Sequence, residues 1–352
     1  MNKIKVDFLA LFQEGTGQTV YLKELSKEME KLVDLKAVLP NEIPLFNFIN
    51  RFSNSIALSV LPFLIQKEIR KYSIVHIINQ ELYHLIPIIE NKKVVSLHDL
   101  GLYSYYNKWK KKDIEQLDKT EKIVCDSNNT KNDLIQNFPL LKGKAITVYN
   151  GLKSNLKKSN QNLRKKYSLN KTDRIILFVG SDESKKNFFT LLKAFSELKE
   201  ENLVLVKIGS KWAFNKKNQR KKFEEFIKEK NLQEKVKFFD FLPEQDLIDF
   251  YFESEVFVCP SFFEGFGLTL IEAMACGCPV ISSNKTSLPE IAGNSALFFN
   301  PENQTELKEK LSEILKDKKL QKGLIRKGFQ NIKRFNWNKS AKKLVQIYSE
   351  IK

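Results

Sequence analysis

Ten short apolar runs, separated by segments of helical periodicity, constrain the fold of this chain more than any other feature. Five lie in the first half (IKVDFLALF, SIVHII, KVVSL, EKIVCDS, AITVYN) and five in the second (RIILFVG, LVLVKIG, VKFFDFL, VFVCPS, PVISS). Their apolar residues are continuous rather than alternating, which is typical of parallel strands covered on both faces. Segments such as VYLKELSKEMEKL and KNFFTLLKAFSELKE carry an apolar stripe at a 3.6-residue period and supply the helices. The pattern predicts an α/β fold.

The strand–helix alternation occurs twice, which predicts two domains. The stretch KSNLKKSNQNLRKKYSLN at 153–170 is polar and strongly basic, so we interpret it as an inter-domain linker. A length of 352 residues is also long for one domain. We predict two doubly wound, Rossmann-like domains facing one another across a cleft, with ligands at the carboxyl ends of the strands. The predicted domains are 1–152 and 171–335, and the C-terminal helix 336–352 packs back on the first.

The composition favours a chain without membrane spans or disulfides. Hydrophobic residues make up 42% of it, and no stretch of about 18 apolar residues occurs. The N-terminal MNKIKVDFLALF is interpreted as a first strand rather than a secretory signal. Cys125, Cys259, Cys276 and Cys278 show neither zinc spacing nor a disulfide framework, so reduced thiols, a cytoplasmic location and no metal are expected.

The formal net charge of +17 suggests an anionic partner, or simply a surface solvated by lysines. No nucleic-acid-binding motif is present, so nucleic acid is not predicted. Residues 44–75 and 103–112 combine aromatic, apolar and lysine side chains, as a peripheral segment at an anionic membrane surface would. The alternative is that the apolar stripe of 44–75 packs on the N-terminal sheet and the lysines face water.

The stretch EGFGLTLIEAMACGCPV at 264–280 places two glutamates around a glycine turn that enters a helix. A helix N-terminus offers unpaired amides and a positive dipole end, and so favours an anion. Carboxylates beside it repel phosphate but suit hydroxyl groups. A ligand with phosphates in its middle and hydroxyls at both ends is a nucleotide-sugar.

Three further positions are candidates for the same site. Gly15 and Gly17 open the first helix as a ligand-approach loop, although a tight strand-to-helix turn needs glycine anyway. His98 follows the strand KVVSL, where α/β sites lie, whereas His76 and His84 are interpreted as structural. Lys185 and Lys186 lie in the loop after the second domain's first strand, and a lysine there suits a diphosphate leaving group. The alternative for either lysine is a solvated surface position.

The run PSFFEGFGLTLIEAMACGCPVISSNKTSLPEIAG closely resembles the donor-site motif of the family 4 retaining glycosyltransferases, which have the GT-B fold. That motif is E-x7-E preceded by PS and followed by A-x-G-x-PV and LPE. The segments GTGQTVYLKEL, VVSLHDL, VYNGL, ILFVGSDESKKNFFTLLKAF and VKFFDFLPEQDLIDFY are similar to other family motifs, in register along nearly the whole chain.

The resemblance implies a role for each matching residue. Glu264 would contact hydroxyls of the donor sugar near its reacting face, and Glu272 would bind the ribose hydroxyls. Backbone amides in the turn would hold the diphosphate and sugar; these belong to Phe266, Gly267, Leu268 and Thr269.

Outside the turn, the resemblance implies that Lys186 neutralises the diphosphate and His98 contacts the transferred sugar. Gly15 and Gly17 would bring the first domain against the donor, and Phe241 falls where backbone groups meet the nucleobase. Many members carry an arginine directly after the glycine that ends the VG strand, where this chain has Ser181. Lys185 is then the candidate for the second phosphate-binding cation.

The resemblance predicts a retaining transfer of a hexose-type sugar from a nucleoside diphosphate to a glycan or lipid-linked acceptor. No cofactor or metal is required, and the sequence shows no DxD-type carboxylate cluster. Two alternatives stay open: a GT-B-like sugar-nucleotide epimerase, and a degenerate homologue that serves as a non-catalytic scaffold.

Overall fold

The computed structural model describes residues 3–11, 17–43, 54–101, 114–211 and 219–352, apart from the side chains of residues 41 and 54–60. The chain divides into two compact units. The first unit is Met1–Gly151 with Phe335–Lys352, and the second is Leu152–Arg334. Each unit contains one sheet of six parallel strands.

The first unit has the strand order β2-β1-β3-β4-β5-β6. Its strands are β1 (Lys5–Leu9), β2 (Asp34–Val38), β3 (Ile74–Ile77), β4 (Lys93–Leu97), β5 (Lys122–Cys125) and β6 (Ala145–Thr147). Its helices are α1 (Gly17–Met29), α2 (Asn54–Glu68), α3 (Asn128–Asn137) and, at the C-terminus, α12 (Trp337–Ile351). Short 3-10 helices cover Pro40–Glu42, Gln80–Ile88, Gln116–Lys119 and Pro139–Leu141. Helices α1 and α12 pack on one face of the sheet and bury the same apolar cluster.

The second unit has the order β12-β11-β10-β7-β8-β9. Its strands are β7 (Arg174–Val179), β8 (Leu203–Ile208), β9 (Val236–Phe239), β10 (Ser254–Cys259), β11 (Val280–Ser283) and β12 (Ala296–Phe299). Its helices are α4 (Leu163–Lys166), α5 (Phe188–Ser196), α6 (Gln219–Glu229), α7 (Glu244–Glu253), α8 (Leu268–Ala275), α9 (Leu288–Ala292), α10 (Gln304–Lys316) and α11 (Lys318–Asn331). The 3-10 helices are Ser184–Lys186 and Ile332–Arg334.

Two strands are missing from the sequence-based prediction, β2 and β12, and both lie at the edge of a sheet. An edge strand packs against a single neighbour, so fewer of its side chains need to be apolar. In β2, only Val38 is buried, and its sequence DLKAV has no continuous apolar run. Strand β12 has the sequence ALFF, which is apolar throughout although only its two end residues are buried, so this reason applies to β2 and not to β12.

The basic segment 153–170 belongs to the second unit and packs on α7. The Ser159 amide donates to Asp249 at 2.8 Å, and the Arg164 guanidinium bonds Glu253 at 3.0 Å. Lys166 and Tyr167 both donate to Asp246 at 2.6 Å. The basic side chains of this segment, which we interpreted from the sequence as a linker, therefore form ion pairs with acidic side chains of α7.

Candidate functional site

The glycine turn at 264–267 leads directly into helix α8, as the sequence predicts. Gly267 is the N-cap residue with φ +102°, a conformation that residues with a Cβ rarely adopt. No side chain caps the helix. Among the described residues, the backbone amides of Leu268 and Thr269 have no hydrogen-bond acceptor. The helix therefore begins with open donors at its positive end, which is an arrangement that suits an anion.

Glu264 and Lys186 are brought together at this turn. The Lys186 ammonium donates to both carboxylate oxygens of Glu264, at 2.8 and 2.9 Å. The Ser261 hydroxyl donates to the same carboxylate at 2.7 Å, and the Glu264 amide donates to the Thr286 hydroxyl at 3.1 Å. Both charged side chains are partly exposed, Lys186 at 24% and Glu264 at 14%. The pair is thus held in one orientation and remains accessible to a ligand.

The loop of Lys186 is attached to the strand that precedes the turn. The Phe262 amide donates to the Lys185 carbonyl at 2.8 Å, and the Asn187 side chain donates to the Pro260 carbonyl at 2.9 Å. The Lys185 ammonium lies 3.8 Å from the Glu183 carboxylate, and its side chain is 16% exposed. Both candidate lysines therefore lie on a loop that is fixed to the region around Glu264.

The turn itself is held by Ser287, which is fully buried. Its hydroxyl is 2.8 Å from the Glu264 carbonyl and 3.1 Å from the Phe266 carbonyl. Sequence reasoning recognised the LPE segment as part of a motif but missed Ser261, Thr286 and Ser287 as partners of the turn. A serine or threonine has so many structural uses that its residue type alone gives no signal.

Glu272 lies one turn into α8 and has a perturbed carboxyl group. Tyr251, which is buried on α7, donates to it at 3.2 Å. Burial is the largest influence and raises the pKa of Glu272 from 4.5 to about 7, although Lys153 and the Tyr251 hydroxyl act in the opposite direction. An acceptor that titrates near neutrality is unusual on a structural helix and marks this carboxylate as a candidate ligand-binding group.

Phe241 and Ser181 differ in what surrounds them. The Phe241 side chain is 72% exposed. Ser181 is followed by Asp182, a fully buried carboxylate that binds Lys207 at 2.7 Å and Arg220 at 2.9 Å. The Lys207 ammonium also donates to the carbonyls of Gly180 and Gly209, at 3.0 and 2.9 Å. These buried cations, which the sequence analysis did not single out, join the loops that follow β7 and β8.

In the first unit, His98 lies directly after β4 and is hydrogen-bonded at both ring nitrogens. Its Nδ1 is 2.7 Å from Asp126 Oδ2, and its Nε2 is 2.9 Å from the Ile78 carbonyl oxygen. The Gln80 side chain accepts hydrogen bonds from the amides of His98 and Asp99, at 3.1 and 3.2 Å. Asp126 was not predicted as a candidate, because an aspartate after a strand is also common in ordinary turns.

The glycine loop of the first unit is described only in part. Gly15 lies outside the described residues, and Gly17 is the exposed first residue of α1. His76 and His84, interpreted from the sequence as structural, lie in β3 and in the 3-10 helix Gln80–Ile88. His76 is buried completely.

All four cysteines are buried free thiols. Across the described ranges, no cluster of three or more His, Cys, Asp or Glu side chains could ligate a metal ion. In that same part of the chain, none of the helices combines the length and apolar content that a membrane crossing requires.

The second unit matches a known protein family over most of its length. The model of the family described as glycosyl transferases group 1 matches residues 159–331, which include the glycine turn, Glu272 and the loop of Lys186.

Two curated relatives carry glycosyltransferase names. The chain is 25% identical over 293 residues to the O-antigen chain mannosyltransferase B of Escherichia coli, covering 76% of this chain and 74% of that protein. It is 30% identical over 227 residues to a Campylobacter jejuni enzyme, covering 64% of this chain and 59% of the relative. That enzyme is named N-acetylgalactosamine-N,N'-diacetylbacillosaminyl-diphospho-undecaprenol 4-alpha-N-acetylgalactosaminyltransferase.

Solved structures support the predicted architecture. The crystal structure of Anabaena HepE in complex with UDP-glucose has a TM-score of 0.84 at 16% identity, covering 99% of this chain and all of that one. WaaG, a glycosyltransferase involved in lipopolysaccharide biosynthesis, has a TM-score of 0.74 at 15% identity over 97% of this chain and 99% of WaaG. The predicted GT-B fold is confirmed. The match of residues 159–331 to the group 1 model and the names of the relatives confirm the sequence-based prediction that this protein is a glycosyltransferase.

Proposed function

We propose that this protein transfers a hexose-type sugar, with retention of anomeric configuration, from a nucleoside-diphosphate sugar to a glycan or lipid-linked acceptor. The acceptor would belong to cell-surface polysaccharide or glycolipid synthesis. The observation that carries the proposal is the Lys186–Glu264 pair beside the open N-terminus of α8. One cation, two open amides and one carboxylate match the charges of a diphosphate joined to a hydroxyl-rich ring.

The diphosphate would be bound by the amides of Leu268 and Thr269 together with Lys186. An ammonium group has three N–H donors, and two of those on Lys186 reach Glu264. The third is left for a phosphate oxygen, so Lys186 can bind the leaving group without releasing Glu264. As the bond to the sugar breaks, charge builds up on the diphosphate, and donors already in place stabilise it.

The two glutamates would bind opposite ends of the donor. The Glu264 Oε1 atom accepts from Lys186 and Ser261, whereas Oε2 accepts from Lys186 alone among the described residues. That leaves acceptor capacity on Oε2 for sugar hydroxyls. Glu272, further along α8, would accept hydrogen bonds from the ribose. Phe241 stays a candidate for the nucleobase and His98 for the transferred sugar.

The proposed reaction is a front-face displacement. The bond from the anomeric carbon to the diphosphate oxygen breaks while a bond to the acceptor oxygen forms on the same face. The acceptor's proton passes to the departing phosphate oxygen, so no enzyme carboxylate is consumed. Glu264 fits this scheme because its carboxylate is already paired with Lys186, which makes it a poor nucleophile and a good hydroxyl acceptor.

The names of the relatives favour particular substrates. One relative is named for a diphospho-undecaprenol acceptor and another for mannosyl transfer to O-antigen chains. The HepE structure was solved with UDP-glucose. We therefore propose a lipid-linked acceptor, with UDP and GDP sugars as the first donors to test.

A thermal-shift screen against UDP-glucose, UDP-N-acetylglucosamine, GDP-mannose and dTDP-glucose tests donor binding. A ligand that binds only the folded state at 100 times its Kd adds about 2.7 kcal/mol to the free energy of unfolding. The stabilising donor should lose its effect in Lys186→Ala. If no nucleotide-sugar stabilises the protein, the proposed donor site is wrong.

The stereochemistry and the epimerase alternative are decided by NMR of the products. An α-configured donor should yield an α-linked product and free nucleoside diphosphate. A β-linked product would contradict retention. An isomerised nucleotide-sugar without transfer would instead identify an epimerase.

We also propose that the protein works at the cytoplasmic face of a membrane, attached peripherally to anionic lipid. Much of the sequence-predicted segment, 44–53 and 103–112, lies outside the described residues. Within 61–75, Phe63 is 61% exposed with the Lys67 ammonium 4.3 Å from its ring centroid. Tyr72 is 85% exposed with the Lys71 ammonium 5.0 Å away. Exposed rings beside lysines are the combination that an interfacial segment requires.

Sedimentation with vesicles containing about one-third anionic lipid tests this attachment at low and high salt. Each lysine near such a surface contributes about 1 kcal/mol, and salt weakens it. Lys67→Glu/Lys71→Glu should abolish sedimentation. A matched control, Lys322→Glu/Arg326→Glu, makes the same charge change on the exposed face of α11. If only the control variant lost binding, the proposed surface would be wrong.

A further inference from the structure

The His98 imidazole lies between two hydrogen-bond acceptors, and this determines its protonation state. The Ile78 carbonyl oxygen can only accept, so Nε2, at 2.9 Å, must carry a hydrogen. An ionised Asp126 can also only accept, so Nδ1, at 2.7 Å from Oδ2, must carry one as well. A neutral ring with its lone pair on Nδ1 would instead face a carboxylate oxygen at that distance, which is repulsive.

Asp126 is held in a fixed position beside His98. It is 3% exposed, and its Oδ2 also accepts a hydrogen bond from the Asn150 side chain at 3.1 Å. Asn150 is itself 3% exposed, so this donor is fixed. His98 and Asn150 therefore both contact the same carboxylate oxygen of Asp126. The ion pair with His98 is therefore largely shielded from solvent, and its attraction is stronger than that of a surface pair.

The other groups around His98 support the same state. Burial by itself lowers the pKa of His98, but the charge and hydrogen bond of Asp126 outweigh it, with help from Asp99 and the Ile78 carbonyl. The net pKa of His98 is raised. The Tyr21 ring from α1 packs edge-on at 5.0 Å, and the buried His76 is the neighbouring titratable group on β3.

His76 provides an internal contrast on the adjacent strand. Its ring nitrogens are bonded to two hydroxyls, Tyr348 at 2.6 Å and Ser96 at 2.9 Å. A hydroxyl can donate or accept, so it can satisfy a neutral ring. Burial, with a smaller contribution from His98, lowers the pKa of His76 to about 3. His76 in β3 and His98, which directly follows β4, thus differ in the chemistry of their partners.

We propose that Asp126 is a positioning residue that keeps His98 doubly protonated and in one orientation at neutral pH. His98 then presents a fixed imidazolium at the carboxyl end of β4, with both N–H groups already engaged. Such a ring contributes charge and shape to a ligand rather than a transferable proton. The effect on sugar transfer rests on the proposed function, whereas the protonation state itself does not.

The chain has three histidines, so ¹⁵N-histidine labelling of the full-length protein gives three ring systems to assign by single His→Gln variants. Between about pH 6 and 8, His98 should show two protonated ring nitrogens. His76 should show one protonated and one unprotonated nitrogen, and the exposed His84 gives a reference signal. A neutral pattern for His98 at pH 7 in the wild-type protein would overturn the proposal, whatever the enzyme's activity.

Variants then separate Asp126 from general effects on packing. Asp126→Asn should convert His98 to the neutral pattern at pH 7, while Asn150→Ala, which keeps the His98–Asp126 contact, should leave it doubly protonated. A doubly protonated His98 in Asp126→Asn would overturn the assigned role of Asp126.

Turnover of UDP-glucose or GDP-mannose adds a functional readout that an unfolded or merely loosened variant would not reproduce. The ratio of Asp126→Asn to wild-type turnover should fall about tenfold or more from pH 6 to pH 8, because the variant's His98 loses its proton. The titration of Glu272 occurs in both proteins, so its effect on turnover cancels in this ratio. A ratio independent of pH, with the NMR prediction fulfilled, would show that the charge of His98 does not contribute to transfer.

Discussion

The carboxyl edges of the two sheets differ in how their polar groups are satisfied. In the described part of the second unit, the amides of Leu268 and Thr269 have no acceptor, and the ion pair of Lys186 and Glu264 keeps spare donor and acceptor capacity. In the first unit, the side chain of Gln80 bonds the backbone after β4, and His98 has a partner at each ring nitrogen. The carboxyl edge of the second unit's sheet can therefore bind a ligand. In the described part of the first unit's edge, these polar groups are bonded to one another.

This contrast separates groups that bind from groups that position. An unsatisfied donor on a rigid helix gains a partner when a ligand arrives, so its removal should lower affinity or rate. A satisfied buried network has nothing further to gain and acts by holding its members in place. Substitutions of Lys186 and Glu264 should therefore impair the reaction with little effect on folding.

The largest effect is expected for Glu264→Ala. Turnover should fall about 10³-fold, because the sugar contact and the partner that orients Lys186 are lost together. The melting temperature should change little, since a partly exposed ion pair contributes at most about 1 kcal/mol. Rates with the stabilising nucleotide-sugar and thermal melts check both.

Glu264→Gln is the matched control, because it keeps the size and one acceptor oxygen of the side chain and removes the charge. It should retain more activity than alanine. Near wild-type turnover in a folded Glu264→Ala protein would remove this residue from the site.

Lys186→Ala should lower turnover about 10²-fold, as expected for one electrostatic stabiliser of the leaving group. Lys185→Ala, one residue away on the same loop, tests whether Ser181 leaves the diphosphate with a single side-chain cation. A loss of similar size in both variants would indicate two phosphate-binding cations. A loss confined to Lys185→Ala would contradict the role given to Lys186.

Glu272 should make nucleotide binding depend on pH. With a pKa near 7, its carboxyl becomes the better, ionised acceptor as pH rises, so affinity for a ribose should increase from pH 6 to 8. Glu272→Gln should abolish this slope and weaken binding by about 1.5–3 kcal/mol. Calorimetric titration with UDP or GDP measures both. Tyr251→Phe keeps the carboxyl but removes a hydrogen bond that lowers its pKa, so the midpoint should move to higher pH.

The carboxyl of Glu272 also makes the free energy of unfolding depend on pH, in the direction opposite to its effect on binding. The folded protein binds this proton more tightly than the unfolded chain, whose carboxyl titrates near 4.5. The contribution of Glu272 to the free energy of unfolding is therefore full below pH 4.5 and is lost as pH rises to about 7. Glu272→Gln should flatten that part of the stability profile. The difference in free energy of unfolding between wild type and Glu272→Gln should be smaller at pH 8 than at pH 5. A larger difference at pH 8 would contradict the raised pKa of Glu272.

The fold and the second unit's turn could be predicted because their signals are local. Buried central strands need continuous apolar runs, and the turn, Glu264 and Glu272 lie within nine residues of sequence. The network around His98 could not be predicted, because Ile78, Asp126 and Asn150 come from three separate segments. Which of many polar residues meet there depends on strand order.

The smallest effects are expected at the two ends of α8, where glycines with positive φ offer a matched pair. Gly267, with φ +102°, begins the helix, and a Cβ there would lie 3.0 Å from the Leu288 side chain. Gly277, with φ +69°, follows its C-terminus, and a Cβ would lie 3.2 Å from the Phe329 ring. Each glycine-to-alanine change should lower the free energy of unfolding by about 1–3 kcal/mol, because alanine is strained in this conformation.

Only Gly267→Ala should also weaken binding of UDP or GDP, because it displaces the open amides of Leu268 and Thr269 at the helix N-terminus. Gly277→Ala disturbs the opposite end of the same helix, one helix length away from those amides. It therefore controls for loss of stability alone. Chemical denaturation and calorimetric titration on the two variants measure the two quantities separately. Equal losses of nucleotide affinity in both would mean that the N-terminus of α8 is not where the diphosphate binds, and the contrast between the two sheet edges would lose its functional meaning.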